Sequence, residues 1–194
     1  LGSALALLAY FAWPTWERGR ERATVAGLLD AYADYLDAVL HGDAQARHAT
    51  RIEARAARSS AQASLDRLRA EPASRANLPR AEALVAQANR VVRAVMMLEA
   101  ARGEDVVPAN PQHGAFAQAC DAALRDGAAA LRESRAPQGD QALRARQRAL
   151  AASLESRDAT ASAWNAALLD ASDRIVDAID SLLHVLAQPR DATP

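Results

Sequence analysis

Residues 25–42 read VAGLLDAYADYLDAVLHG, with Val25, Leu28 and Tyr32 among apolar positions that recur at steps of three and four. That spacing places the apolar side chains on one face of a helix, and a glycine at its end is a usual stop. Alanine and arginine, both strong helix formers, are abundant in the rest of the chain, whereas β-branched and aromatic residues are scarce. The sequence therefore predicts an all-α fold.

Five further amphipathic patterns follow, separated by proline, glycine and capping signals. We expect helices from Asp43 to Ala70, from Asn77 to Gly103, from Ala115 to Ser134, from Asp140 through Leu154, and from Asp158 to Ala187. Their predicted inner faces include Ala61, Leu65, Val91, Val95, Phe116, Cys120, Leu124, Leu150, Trp164, Ile175 and Ile179. Mostly short connections imply antiparallel neighbours, so we predict an up-and-down antiparallel bundle of five to six helices.

The opening of the chain has the character of a membrane boundary. Residues 1–12, LGSALALLAYFA, are apolar, and tryptophan and arginine favour the interface and the cytoplasmic side. Twelve helical residues span ~18 Å, short of the roughly 30 Å of a bilayer core. Residues 1–14 are thus interpreted as the end of a transmembrane helix, against the alternative of an ordinary buried helix. The predicted membrane-interface residues are Trp13, Pro14, Trp16, Arg18, Arg20 and Arg22.

These boundaries divide the chain into three parts. Pro14 is expected to end the membrane segment, and Thr15 can cap the helix that follows it. Residues 15–188 then form a cytosolic bundle, and residues 189–194 a frayed tail. The predicted location is a membrane, with the soluble part on the cytoplasmic side and the bilayer at its amino end.

Composition excludes several classes of protein. The formal net charge is −1, so no general attraction to nucleic acid is expected. A single cysteine, Cys120, cannot form an internal disulfide, which suits a reducing compartment, and its apolar neighbours indicate a core position. No HxxxH, HExxH, CxxC or glycine-rich phosphate loop occurs. We expect no enzyme activity, no metal and no cofactor.

The densest charge in the chain lies in the second predicted helix. Arg47, Arg51, Arg55 and Arg58 fall on one helical face, where like charges on neighbouring turns repel by a few tenths of a kcal/mol per pair. Three kinds of counter-charge stay open: acidic groups within the bundle, a docked partner, or an anionic ligand. The aspartates Asp30 and Asp34, and likewise Asp173 and Asp177, are expected on solvated helix faces.

Three local patterns together resemble the fusaric acid resistance (FUSC)-type family of bacterial inner-membrane proteins. They are the opening run into Trp13–Arg18, the segment YADYLDAVL at 32–40, and RAARSSAQASLDRL at 55–68 followed by Glu71-Pro72. The resemblance covers about the first seventy-five residues, and the rest matches only in being helical. It implies an efflux transporter for small aromatic or other organic acids, with this chain as its C-terminal cytosolic domain.

On that interpretation the chain is an accessory or assembly domain, and its partners are the rest of its own membrane protein and further copies of itself. Two rival functions are weighed. A membrane-anchored sensor is suggested by the near-heptad spacing of the last helix. A di-metal bundle enzyme is disfavoured, because that chemistry uses Glu-x-x-His pairs on facing helices and the sequence has none.

Overall fold

The computed structural model describes residues 2–70, 77–102, 110–139, 141–155 and 163–188. These residues form six helices and contain no strand, which confirms the all-α prediction. The helices are α1 (Gly2–His41), α2 (Ala44–Ala70), α3 (Leu78–Arg102), α4 (Pro111–Glu133), α5 (Gln141–Glu155) and α6 (Ala163–Ala187).

Four of the helices form the centre of the bundle, and the other two flank it. In cross-section α1 packs on α3 and α4, and α6 packs on the same two helices; α2 covers the α1–α3 edge and α5 the α4–α6 edge. Contacts fix the directions. Asp30 and Asp34 of α1 pair with Arg132 and Arg125 of α4, respectively, so these helices are antiparallel. Arg80, at the start of α3, reaches the carbonyl end of α6. The predicted up-and-down topology is confirmed.

The two halves of the chain share one packing pattern. Within α1–α2–α3 every helix contacts the other two, and the same holds within α4–α5–α6. The halves meet chiefly through the equivalent pairs α1–α4 and α3–α6, each of which runs antiparallel. This is the arrangement that an approximate two-fold axis perpendicular to the helices produces. The sequence carries no repeat of fixed period that would reveal it.

One continuous core holds all six helices together, and the predicted inner faces belong to it. Each of the inner-face residues predicted above is at most 7 % exposed. Tyr32 and Tyr35 of α1 are among the largest fully buried side chains. The periodicity of the apolar residues therefore identifies the core correctly.

Two helix starts test the predicted caps. The Asp43 carboxylate accepts a hydrogen bond from the Ala46 N–H at 2.8 Å, which confirms the cap of α2. The predicted start of α4 at Ala115 is wrong. Asn110 caps this helix instead, by accepting from the Gln112 N–H, and Pro111 occupies its first turn. The Asn-Pro pair is thus a helix start, and Gly114 is tolerated inside the first turns.

The predicted helix end at Pro14 is also wrong, because α1 runs without a break from Gly2 to His41. Proline has a φ compatible with a helix and removes only one backbone donor, so flanking helix-forming residues can carry the helix past it. Within the described residues, no helix combines the length and the apolarity needed to cross a bilayer. Glu71-Pro72, residues 103–109, Asp140, residues 158–162 and the 189–194 tail lie outside the described ranges.

Arg102, the last residue of α3, closes the carboxyl end of α1. Its guanidinium donates to the Val39 carbonyl and, at 3.0 Å, to the Gly42 carbonyl. Helix ends leave such carbonyls without partners, and a cation there also complements the helix dipole. Burial lowers the pKa of Arg102, and the nearby charge of Arg47 lowers it further. The side chain pins α3 to α1 at this end.

Gly127 provides a stability test of the tight packing in the centre. A Cβ at this position of α4 would lie 3.3 Å from methyl groups of Leu29 and Leu186. Gly127→Leu is expected to lower the free energy of unfolding by about 1–3 kcal/mol, measured by urea denaturation. The control is Gly27→Leu, where a Cβ meets nothing within 4 Å. It should stabilise by up to ~1 kcal/mol through helix propensity. Equal effects of the two substitutions would contradict the packing.

Candidate functional site

A groove between α2 and α3 is lined by aromatic, basic and apolar side chains. Tyr32 and Tyr35 of α1 form its floor. Arg51, Arg55 and Arg58 form its α2 wall, and Val92 and Met96 its α3 wall. We call this site the α2–α3 groove.

The floor is aromatic and its hydroxyl groups are engaged. Tyr35 donates to Oε2 of Glu99 at 2.6 Å, and Tyr32 donates to Oδ1 of Asn89 at 3.4 Å. Burial raises the pKa of Tyr32 to about 12, although the charge of Arg58 opposes the rise. Burial also raises the pKa of Tyr35, as do the hydrogen bond to Glu99 and the charge of that carboxylate. Both phenols are therefore held neutral.

Arg51 links the α2 wall to this network. Its guanidinium lies 3.6 Å from Oε2 of Glu99 and 3.2 Å from Nδ1 of His48. Its Nε is buried and has no hydrogen-bond partner in the described part of the chain. For Arg51, the expected intra-bundle pairing is present, but one donor stays unsatisfied.

The other three arginines of the predicted face differ from one another. Arg47 is buried, with 8 % of its surface exposed, and lies close enough to Arg102 to affect its pKa. Arg55 and Arg58 are exposed and, among the described ranges, make no ion pair and donate no hydrogen bond. The groove rim therefore carries two cations whose counter-charge lies outside these contacts.

The predicted membrane-interface residues all belong to α1. The α1 backbone includes four of them, and the structure does not describe their side chains: Trp13, Pro14, Trp16 and Arg18. Arg20 is exposed, and its carbonyl accepts from Thr24 at 2.8 Å. Arg22 instead reaches Ser134 at the end of α4 and so belongs to the bundle.

The aspartates expected on solvated faces are 27–61 % exposed there, and each also pairs with an arginine of a neighbouring helix. The Asp34 carboxylate lies 2.6 Å from Arg125, which is also 3.6 Å from Asp30. On the other side of the bundle, Arg144 of α5 reaches three carboxylates of α6. The distances are 3.3 Å to Asp173, 2.6 Å to Asp177 and 2.9 Å to Asp180. Helical periodicity gives a residue's face, but not the arginine that a neighbouring helix brings to it.

Four residues of the groove and its network were not predicted from the sequence: Asn89, Val92, Met96 and Glu99. Glu99 follows the buried Leu98 at the edge of the apolar face of α3, and that position was the available signal. Met96 is 42 % exposed, so it gives the groove wall an apolar surface that solvent can reach.

The groove has the chemistry of a recognition surface. It offers guanidinium donors, an apolar wall and neutral phenols, a combination suited to an anionic group with an apolar neighbour. Among the residues that the structure describes, no three His, Cys, Asp or Glu side chains gather as a metal site. No family model, curated protein or solved structure matches the chain.

The buried tyrosines predict a loss of stability in alkali. Burial raises the pKa of Tyr32 in the folded chain to about 12, whereas an unfolded tyrosine has its ordinary pKa of 10.0. The stabilisation is thus fully present below about pH 10 and is lost as pH rises towards 12, by on the order of 2 kcal/mol. Urea denaturation across this range measures it. Tyr32→Phe should flatten the pH dependence, and an unchanged slope in that variant would contradict the prediction.

Proposed function

We propose that this chain is the C-terminal cytosolic accessory and assembly domain of a bacterial inner-membrane efflux transporter for small organic acids. The resemblance of its first seventy-five residues to the FUSC-type family supports the proposal. The observation that carries it is the continuity of α1, which joins the apolar opening at Gly2 to the buried core up to Leu40 in one helix.

A continuous helix gives the domain a direct mechanical link to the membrane. The 40 residues of α1 extend over ~60 Å, of which the first fourteen account for roughly 20 Å. Because α1 packs on α2, α3 and α4, a tilt or shift of its amino end acts on half of the bundle at once. The same link can hold subunits together or relay the state of the transporter.

The rival sensor function has weaker support. The near-heptad face of α6 could serve as a coiled-coil seam only if it were available to another helix. Ile175, Ile179 and Leu182 are instead fully buried, and α6 packs on α3, α4 and α5. Several membrane spans upstream would favour the transporter, whereas one span with an extracytoplasmic domain would favour the sensor.

Deletion of residues 23–194 from the complete transporter tests the proposal. The shortened protein is expected to lose most export, or to accumulate in the membrane at a several-fold lower level. Export is measured as substrate efflux from cells, and amount by immunoblot of membranes. Removal of residues 189–194 alone serves as the control. A protein without residues 23–194 that assembles and exports like the wild type refutes the proposal.

Membrane attachment has its own test. The chain should co-sediment with vesicles of phosphatidylethanolamine and phosphatidylglycerol, and Leu5→Glu/Leu8→Glu should reduce the bound fraction several-fold. Burying a leucine in lipid is favourable, whereas a charged side chain near the bilayer centre costs a few kcal/mol. Arg67→Glu/Arg90→Glu, far from the opening segment in sequence, is the control for altered charge. Equal binding by wild type and the leucine variant would show that the opening segment does not insert.

A further inference from the structure

We propose that the α2–α3 groove docks the aspartate face of α6 from a second copy of this chain, so that copies associate head to tail. The aspartate face is defined as Asp173, Asp177 and Asp180. The inference rests on the assembly role proposed above and names the partner: another copy of the same domain.

The groove supplies the positive surface. Among the described contacts, Arg51 lies 3.6 Å from the Glu99 carboxylate, whereas Arg55 and Arg58 line the groove without an ion pair. Two positive charges therefore stay uncompensated by the described contacts. Met96 adds an exposed apolar edge to the same wall.

The aspartate face supplies the negative surface. Its three carboxylates share one cation, Arg144, and remain 61 %, 55 % and 48 % exposed in the order of the chain. The remaining α6 acid along this side, Asp170, is paired with Arg174 at 2.9 Å. In the described ion pairs, three carboxylates share one guanidinium, which leaves two negative charges for a partner.

The two surfaces match in spacing and direction. Arg51, Arg55 and Arg58 follow one another at steps of four and three, and so do the residues of the aspartate face. In the up-and-down topology α2 and α6 run the same way. Copies related by rotation about an axis along the helices would bring α2 of one beside α6 of the next, with parallel directions.

A single molecule cannot join its own two surfaces. The groove lies at the α1–α3 edge of the bundle under α2, whereas the aspartate face lies beside α5 at the opposite α4–α6 edge. Association along such an axis also keeps the amino end of α1 on the same side in every copy. That is the geometry that attachment to one membrane requires.

The expected association is weak and sensitive to salt. Exposed ion pairs each contribute little to binding, and their attraction is screened within ~10 Å at 0.1 M salt. Confinement to a membrane raises the effective concentration of the partner and so strengthens a weak contact.

Charge exchange tests the contact in the full 194-residue chain, kept in non-ionic detergent. Sedimentation velocity should show association at about 50 mM NaCl that weakens at least tenfold at about 500 mM. Arg55→Glu/Arg58→Glu should be monomeric alone, and so should Asp173→Arg/Asp177→Arg. Their equimolar mixture should associate again, since each reversed surface then meets its complement. The chain with all four substitutions should also associate with itself.

The control variant Arg67→Glu/Arg90→Glu changes the net charge by the same amount as Arg55→Glu/Arg58→Glu, but at exposed positions outside the groove. It should associate like the wild type. Circular dichroism melts establish that every variant is folded. A wild type that stays monomeric at low salt overturns the inference, as does a mixture that stays monomeric. If deletion of residues 23–194 still abolishes export in that case, only the self-association fails and the proposed function stands.

Discussion

Burial of α1 on three sides is the constraint on which the rest of the bundle depends. From Val25 to Leu40 its apolar residues other than Ala31 are at most 6 % exposed, because α2, α3 and α4 all pack on it. A helix surrounded in this way must find partners for every polar group it takes inside. The tyrosine hydroxyls meet Asn89 and Glu99, and the carbonyl end meets Arg102. The polar groups that α1 buries thus account for three polar residues of α3, namely Asn89, Glu99 and Arg102.

The same constraint explains why the α2–α3 groove carries unmet charge. Glu99, 17 % exposed at its side chain, accepts the Tyr35 hydroxyl and lies near Arg51. One carboxylate cannot also neutralise Arg55 and Arg58, which are one and two turns away along α2. Repulsion along that face costs only a few tenths of a kcal/mol per pair, so the fold tolerates it. The cost is small enough to persist, and in the proposed assembly this charge attracts the aspartate face of a second copy.

Most of the fold could be predicted from the sequence, because apolar periodicity and capping residues act locally. The inner faces of all six helices and the Asp43 cap are cases of this kind. The helix end predicted at Pro14 was wrong, because the local preference of a proline does not reveal whether the flanking residues continue the helix through it. The arginines of the candidate site could be predicted, because the spacing from Arg51 to Arg58 places them on one face of a helix. Glu99 and the sharing of Arg144 by three aspartates depend on which helices become neighbours, and a single helix pattern holds no such information.

The two halves of the bundle place opposite charges at equivalent positions. Exchange of α1–α2–α3 with α4–α5–α6 brings the α2–α3 groove onto the region between α5 and α6, where the aspartate face lies. Groove against groove would set arginine beside arginine, so a symmetric dimer through this surface is electrostatically disfavoured. Contact between the groove of one copy and the aspartate face of the next avoids that repulsion. One groove and one aspartate face then remain free at the two ends of the assembly. Because the two similar halves carry opposite charges, each contact joins two different surfaces. Copies can therefore add one after another around an axis parallel to α1.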